Sequence, residues 1–438
     1  MLRSEFDREI LRLAVPALGA LAAEPLPALA DTAIIGHLGT TELAALALAA
    51  ALLTALFSLC IFLTYGTTAQ VARLHGAGEQ DRAGALAAQA LWLGLGIGLA
   101  LGATVAALAP QAIALMGGDG EVGDLAVRYL RIGALGVPAF MLILAGQGFL
   151  RGIGDLRRPL VILAAGNVAN VVLNVALVYG ADLGLDGSAI GTVIAQASMG
   201  AAFVVLLLRA PARTRRPRWS LMAPLVRMGG DLVVRTGALL GSFLVAGAVL
   251  ARIGEASLGA HQVAFQLFVF LALVLDAIAI AGQVLVGRML GAGDAGRAYA
   301  AARRMIELSV LAGVVLAVAL LALTDLVPRA FTGDDAVIER AQAVWPLFAL
   351  MQPFAGAVFA LDGILIGAGD TRYLAISMVV AGFGFYVPIA VLALHLEWGI
   401  VGVWWGLVAL MAVRLATLGL RFRSRRWARV GAEWPSPA

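Results

Sequence analysis

The sequence predicts an all-α integral membrane protein of twelve transmembrane helices, arranged as two pseudo-symmetric six-helix lobes around a central cavity. Three observations carry this expectation: a shortage of charge, the number of apolar stretches, and an internal repeat. Of 438 residues, 61% are hydrophobic and 13% charged, and the mean hydropathy is +0.94. A soluble domain carries about 25% charged residues, so this chain cannot coat a water-facing surface. Its 52 glycines run with alanine through the apolar stretches, where small residues let helix backbones approach without a hydrophobic drive between them.

Apolar stretches long enough to span a bilayer, about 20 residues each, begin near residues 10, 42, 84, 123, 159, 187, 221, 256, 300, 337, 373 and 399. The first is read as a retained helix and not a signal peptide, because it is long, holds Glu24 and Asp31, and lacks a small-residue cleavage site. All 31 basic residues are arginine. Without lysine there is no Walker A motif and no P-loop ATPase on this chain, so uphill work must draw on an ion gradient or a partner. Counted over loops and helix ends, 24 arginines, Arg3 among them, fall on the side of the N-terminus and 5 on the other. By the positive-inside rule both termini are cytoplasmic, in a multi-pass protein of the cytoplasmic membrane. The pI near 9.7 is read as that signature and not as a nucleic-acid footprint. Cys60 is the single cysteine, and His37, His75, His261 and His395 lack metal-ligand spacing. An enzyme, a cofactor and a metal centre are therefore not expected.

The repeat has a constant offset of 215. It pairs Arg73 with Arg288, Gly78 with Gly293, Pro138 with Pro353, Gly154 with Gly369, Asp155 with Asp370, and Gly191 with Gly406. Each half holds six spans, an even number, so the halves share one orientation and are related by an axis along the membrane normal. The N-terminal lobe is assigned to residues 1–212 and the C-terminal lobe to 213–438, joined by an Arg-rich linker at about 209–220. Parallel repeats facing a cavity are the plan of an alternating-access transporter.

Residues that repeat are most simply scaffold, and those that break the repeat are candidates for function. Asp31 answers to Ala246, Asn170 to Phe385, Asn174 to Ile389 and Thr192 to Leu407; Arg235 answers to Ala20, Asp276 to Ile61, Gln283 to Thr68 and Asp362 to Gln147. Polar groups in a membrane are costly and need a partner, a wet cavity or a task. Asp31 lies about 31 Å along helix 1 at 1.5 Å per residue, in the outer half. Asn167, Asn170 and Asn174 share one helix face by their i, i+3, i+7 spacing. An acid facing amides and the Thr192 hydroxyl, away from arginine, is a candidate proton or cation site; an inter-helix hydrogen-bond clamp is the plainer alternative. Pro16, Pro25 and Pro27 each remove a backbone bond, so helix 1 is expected to kink or hinge. Glu24 beside Pro25 either lines the cavity or partners an arginine. In the C-terminal half, Asp231 and Arg235 can pair on one face, and Asp276, Gln283 and Asp362 fall in the inner halves of their helices, as a charge cluster between helices or a site for substrate. Arg414 is expected to snorkel.

The run Ala30-Asp31-Thr32-Ala33-Ile34-Ile35-Gly36-His37-Leu38-Gly39 after Pro16, the series Asn167 to Asn174, Gly191-Thr192, and Asp276 through Gln283 resemble the multidrug and toxic compound extrusion (MATE) transporters, most closely their DinF-like branch. The resemblance covers essentially the whole chain. It implies export of organic, cationic or amphipathic compounds in exchange for protons or sodium, with Asp31 as the coupling acid, Pro16 at the helix 1 bend, and Asn170 and Thr192 in its hydrogen-bond network. One departure matters: Asn174 stands where many DinF-like members carry a second acid. A two-carboxylate cation site thereby loses a charge, which favours protons over sodium, since hard cations prefer several anionic oxygens. The expectation is a proton-coupled multidrug antiporter, monomeric, with small organic molecules, protons and the bilayer as partners. Sodium coupling is one alternative, and a lipid-linked precursor flippase of similar plan is another.

Overall fold

A computed structural model describes residues 5–432; Arg3 and the two chain ends lie outside it. The spans are α1 (Glu5–Gly36), α2 (Thr40–Gly76), α3 (Gln80–Leu115), α4 (Gly120–Ala134 with Val137–Gly152), α5 (Arg157–Gly180), α6 (Gly184–Arg209), α7 (Trp219–Ile253), α8 (Glu255–Gly291), α9 (Ala295–Ala322), α10 (Asp335–Ala368), α11 (Thr371–His395) and α12 (Gly399–Arg423). Eleven are long and apolar enough to cross a membrane on their own, and α4 makes the twelfth when its two halves, bent by 47°, count as one span.

The repeat survives in three dimensions. Gly98 of α3 sits where a Cβ would be 2.6 Å from Pro138 Cα, and its mate Gly313 of α9 stands 2.8 Å from Pro353 Cα. A Cβ added at Gly148 or Gly152 of α4 would lie 2.8 or 3.0 Å from the carbonyl oxygens of Thr64 and Thr68; one added at Gly363 or Gly367 of α10 would lie 2.2 or 2.6 Å from those of Ala279 and Gln283. Each second contact is the first shifted by 215. Glycine is required at these places because the neighbouring helix backbone occupies the room a side chain would need. Even the turns repeat: Asp182 and Glu397, also 215 apart, both adopt positive φ, 56° and 55°.

The halves differ in helix continuity. The first six spans are interrupted at Glu24–Pro25, at Ile61 and at Leu135–Gly136, whereas their counterparts α7, α8 and α10 run unbroken. Composition explains two of the three. Gly133 and Gly136 precede Pro138, while the same places before Pro353 hold Phe348 and Met351, which pack and stiffen the helix. Pro25 has Leu240 as its counterpart, so α7 keeps the amide that α1 lacks. Of the three prolines of α1, Pro25 coincides with the break; Pro16 lies inside continuous helix and Pro27 in the first turn after the break.

By packing, the chain forms two compact units, one running Gly19–Gly229 and the other made of the chain before and after it. The division therefore falls inside α1 and α7. The linker stays with the first unit for a clear reason. Trp92 donates to the Arg215 carbonyl (2.8 Å), Gln89 donates to that of Arg216 (3.0 Å) and accepts from the Arg218 amide (2.8 Å), and the Arg213 amide donates to Asp81 O (3.1 Å). Four bonds strap six residues onto α3. In the second unit the start of α1 is tied down by Arg304 to Asp7 (2.6 Å) and Arg288 to Glu9 (3.2 Å).

Candidate functional site

Within the Gly19–Gly229 unit the structure gathers the repeat-breaking residues. Asp31, on α1 past the Pro25 break, is buried at 7% exposure and accepts a hydrogen bond from Asn174 Nδ2 on α5. One turn earlier Asn170 donates to Thr192 Oγ1 on α6 at 3.0 Å. A further turn back, Asn167 donates to the Ala23 carbonyl at 2.7 Å, the acceptor that Pro27, having no amide hydrogen, leaves without its i+4 donor. The face predicted from the asparagine spacing is thus a seam of α5 against α1 and α6. Gly191 makes it possible: a Cβ there would lie 2.1 Å from Asn174 Oδ1.

Two amide oxygens in this seam, Asn170 Oδ1 and Asn174 Oδ1, are buried without a hydrogen-bond donor. Unsatisfied acceptors in a low-dielectric site are expensive, and beside a carboxylate they create a pull for a proton donor or a cation. Sequence reasoning missed Tyr129 of α4, buried at 4% exposure, whose hydroxyl faces Ser188, Thr192 and the Asp31 carboxylate. The signal was present, for Tyr129 and Ser188 break the repeat against Val344 and Val403. Glu24, at the turn in α1, is exposed.

The second unit holds a different cluster. Asp362 of α10, 4% exposed, accepts from Arg235 of α7 at 2.5 Å and from Arg414 of α12. Arg414 is itself 3% exposed, which corrects the snorkelling expectation: its guanidinium turns inward to a carboxylate. Asp231, one turn before Arg235, accepts from Thr371 Oγ1 at 2.8 Å. Gln283 is buried in α8 where Gly367 of α10 presses on its backbone, and Asp276 is half-buried two turns earlier. Among the described residues, no group of three or more His, Cys, Asp or Glu side chains is placed to hold a metal ion.

Comparison with known proteins agrees with this construction. The MatE family profile matches residues 16–176 and 236–392. The chain belongs to the MatE family. It is 31% identical to Protein DETOXIFICATION 44, chloroplastic, of Arabidopsis thaliana, over 95% of this chain and 82% of that protein. It is 29% identical to DNA damage-inducible protein F of Escherichia coli, over 96% and 93%. A solved structure described as MATE in the bent conformation superposes with a TM-score of 0.89 at 20% identity, covering 97% of both chains. The fold is therefore the twelve-helix, two-lobe fold of these membrane transporters, and the DinF-like resemblance read from Asp31 and its neighbours holds.

Proposed function

We propose that this MatE protein is a proton-coupled antiporter of the cytoplasmic membrane, a monomer with both termini in the cytoplasm, that expels amphipathic and mainly cationic organic compounds, and that Asp31 is the coupling acid. One contrast carries the reading. Two carboxylates are buried among the described residues, Asp31 and Asp362. Asp362 is bound by two arginines, while the hydrogen bond that reaches Asp31 comes from the neutral amide of Asn174. A carboxyl held by an amide can change protonation without tearing apart an ion pair.

The geometry supplies a way to transmit that change. Asn174 donates to Asp31 with its amide nitrogen while its own oxygen lacks a donor. When Asp31 takes up a proton, the carboxyl becomes a donor, and the amide oxygen is the acceptor at hand. Turning that amide rearranges the α1–α5 seam less than two helical turns from the break at Pro25. In the proposed cycle the outward-open protein loads a proton at Asp31, rearranges α1, releases the organic cation and returns empty of it. One proton exchanged for one monovalent cation moves no net charge and draws on the pH gradient alone; each further proton carries a net charge inward, and the membrane potential then supplies about 2.3 kcal/mol per 100 mV, roughly fiftyfold enrichment.

Sodium coupling is the second reading, and the two orphan amide oxygens favour it; a single carboxylate counts against it. The test is efflux of a fluorescent organic cation from proteoliposomes under an imposed pH gradient or an imposed sodium gradient, with wild type and Asp31→Asn. Proton-driven efflux that the variant loses while staying folded supports the proposal. Sodium-driven efflux alone moves the site to the second reading. A folded protein that moves the dye under neither gradient gives way to the lipid-linked flippase.

A further inference from the structure

In the second unit, α9 and α12 both pack on α10, and at their arginine-rich ends a cleft of about 460 Å³ opens between them. That volume lies in the range of small-molecule sites. Each wall is a single helix stripe: Tyr299, Arg303 and Ile306 of α9 at i, i+4, i+7 spacing, and Leu415, Gly419 and Phe422 of α12 at the same spacing, with Ala357 and Leu361 of α10 as the floor. The deep part is apolar. Gly419 has open space where its Cβ would point, so the cleft keeps its depth because nothing fills it from that side.

The rim is net cationic, with Arg303 and Arg423 lining it against the single carboxylate of Glu307. Arg303 stands 74% exposed, and its contact with Glu307 is shared, because Glu307 also accepts from Arg304 at 3.0 Å. Arg423 is exposed at the end of α12 and forms no ion pair among the described residues. Arg425 lies over the Tyr299 ring at 4.3 Å, and Tyr299 stacks on Phe422 at 4.9 Å. An aromatic wall at headgroup depth with arginines above and hydrocarbon below is complementary to a molecule with one anionic end and apolar tails.

We propose that this cleft is a binding site for one anionic phospholipid, with its phosphate between Arg303 and Arg423 and an acyl chain along Ile306, Leu415 and the open face of Gly419. The ligand bridges α9 and α12 beside the Tyr299–Phe422 stack. This site is separate from the Asp31 seam and does not depend on the coupling ion.

The experiment uses the purified, delipidated full-length protein, titrated with phosphatidylglycerol or phosphatidylcholine and read by native mass spectrometry. One phosphatidylglycerol is expected to stay bound per chain, in preference to phosphatidylcholine. The double variant Arg303→Gln/Arg423→Gln should bind phosphatidylglycerol roughly thirtyfold more weakly, at about fivefold per arginine, and lose the preference. Gly419→Leu leaves every charge in place and fills the cleft, so it should weaken both lipids. Both variants alter exposed or open positions, and circular dichroism with a single gel-filtration peak checks their folding. Equal affinity of wild type for the two lipids, or full phosphatidylglycerol binding by Gly419→Leu, overturns the proposal. Displacement of the lipid by inorganic phosphate at comparable concentration overturns it too, since that result makes the site one for a free anion.

Discussion

Removing the Asp362 carboxylate should hurt this protein more than removing either arginine that holds it. Asp362 accepts from Arg235 and Arg414 at a place where Asp362 and Arg414 are 4% and 3% exposed. Asp362→Asn takes from Arg235 and Arg414 the carboxylate they share, and breaking a buried ion pair in this way costs about 3–5 kcal/mol. Arg414→Gln instead leaves a balanced pair between Arg235 and Asp362, so its cost is about 1–3 kcal/mol, the loss of a charged hydrogen bond. At about 1 °C per kcal/mol, from an unfolding entropy of about 2.1 cal/mol/K per residue over 438 residues, Asp362→Asn should unfold roughly 3–5 °C below wild type. Adding Arg414→Gln to it should recover part of that loss, because the pair interact directly and their effects do not add. Thermal unfolding of the detergent-solubilised protein, followed by tryptophan fluorescence at a fixed scan rate, reads all four proteins. The reasoning fails if Asp362→Asn melts within about 1 °C of wild type, or if Arg414→Gln proves the more damaging single change.

Other outcomes follow from individual contacts. Gly191→Ala places a Cβ 2.1 Å from Asn174 Oδ1 and should abolish proton-driven efflux while the melting temperature falls by only a few degrees; efflux at the wild-type rate would show that the Asn174–Asp31 bond is not needed. Gly363→Val drives side-chain atoms into the Ala279 backbone, 2.2 Å from where the first of them would lie, and should cost more than about 3 kcal/mol, visible as loss of a monodisperse gel-filtration peak. Trp92→Phe removes the donor to Arg215 O, worth about 1 kcal/mol, so trypsin should cut between Arg213 and Arg218 severalfold faster. Tyr129→Phe keeps the ring and deletes the hydroxyl facing Ser188, Thr192 and Asp31; the pH dependence of efflux should shift while helicity by circular dichroism stays unchanged.

The span count, the repeat and most of the Asp31 seam were legible because each leaves a periodic mark. Apolar stretches announce membrane helices, an offset of 215 aligns glycines whose neighbours prove to be the same backbone atoms, and i, i+3, i+7 spacing puts three asparagines on one face. What stayed hidden was pairing across distant segments. Nothing local in the sequence joins Arg414 to Asp362 or Asn167 to Ala23, since these contacts depend on how helices far apart in the chain pack. The helix breaks were half legible. Proline marks where a backbone bond is missing, but Pro353 stays within a straight run because Phe348 and Met351 hold it, while Pro138 follows two glycines and gives way. The linker's attachment was hidden for a related reason: its carbonyls and amides are bound to α3 by residues more than a hundred positions away.

The slot opened by Gly191 is filled by Asn174, whereas the slot opened by its repeat mate Gly406 is filled by Tyr386, 2.8 Å from where a Cβ would stand. A duplicated gene inherits the vacancy before it inherits any particular tenant. In the first copy the notch houses an amide that bonds a buried acid, in the second an aromatic ring, so the halves differ by a change of lodger while the masonry is the same.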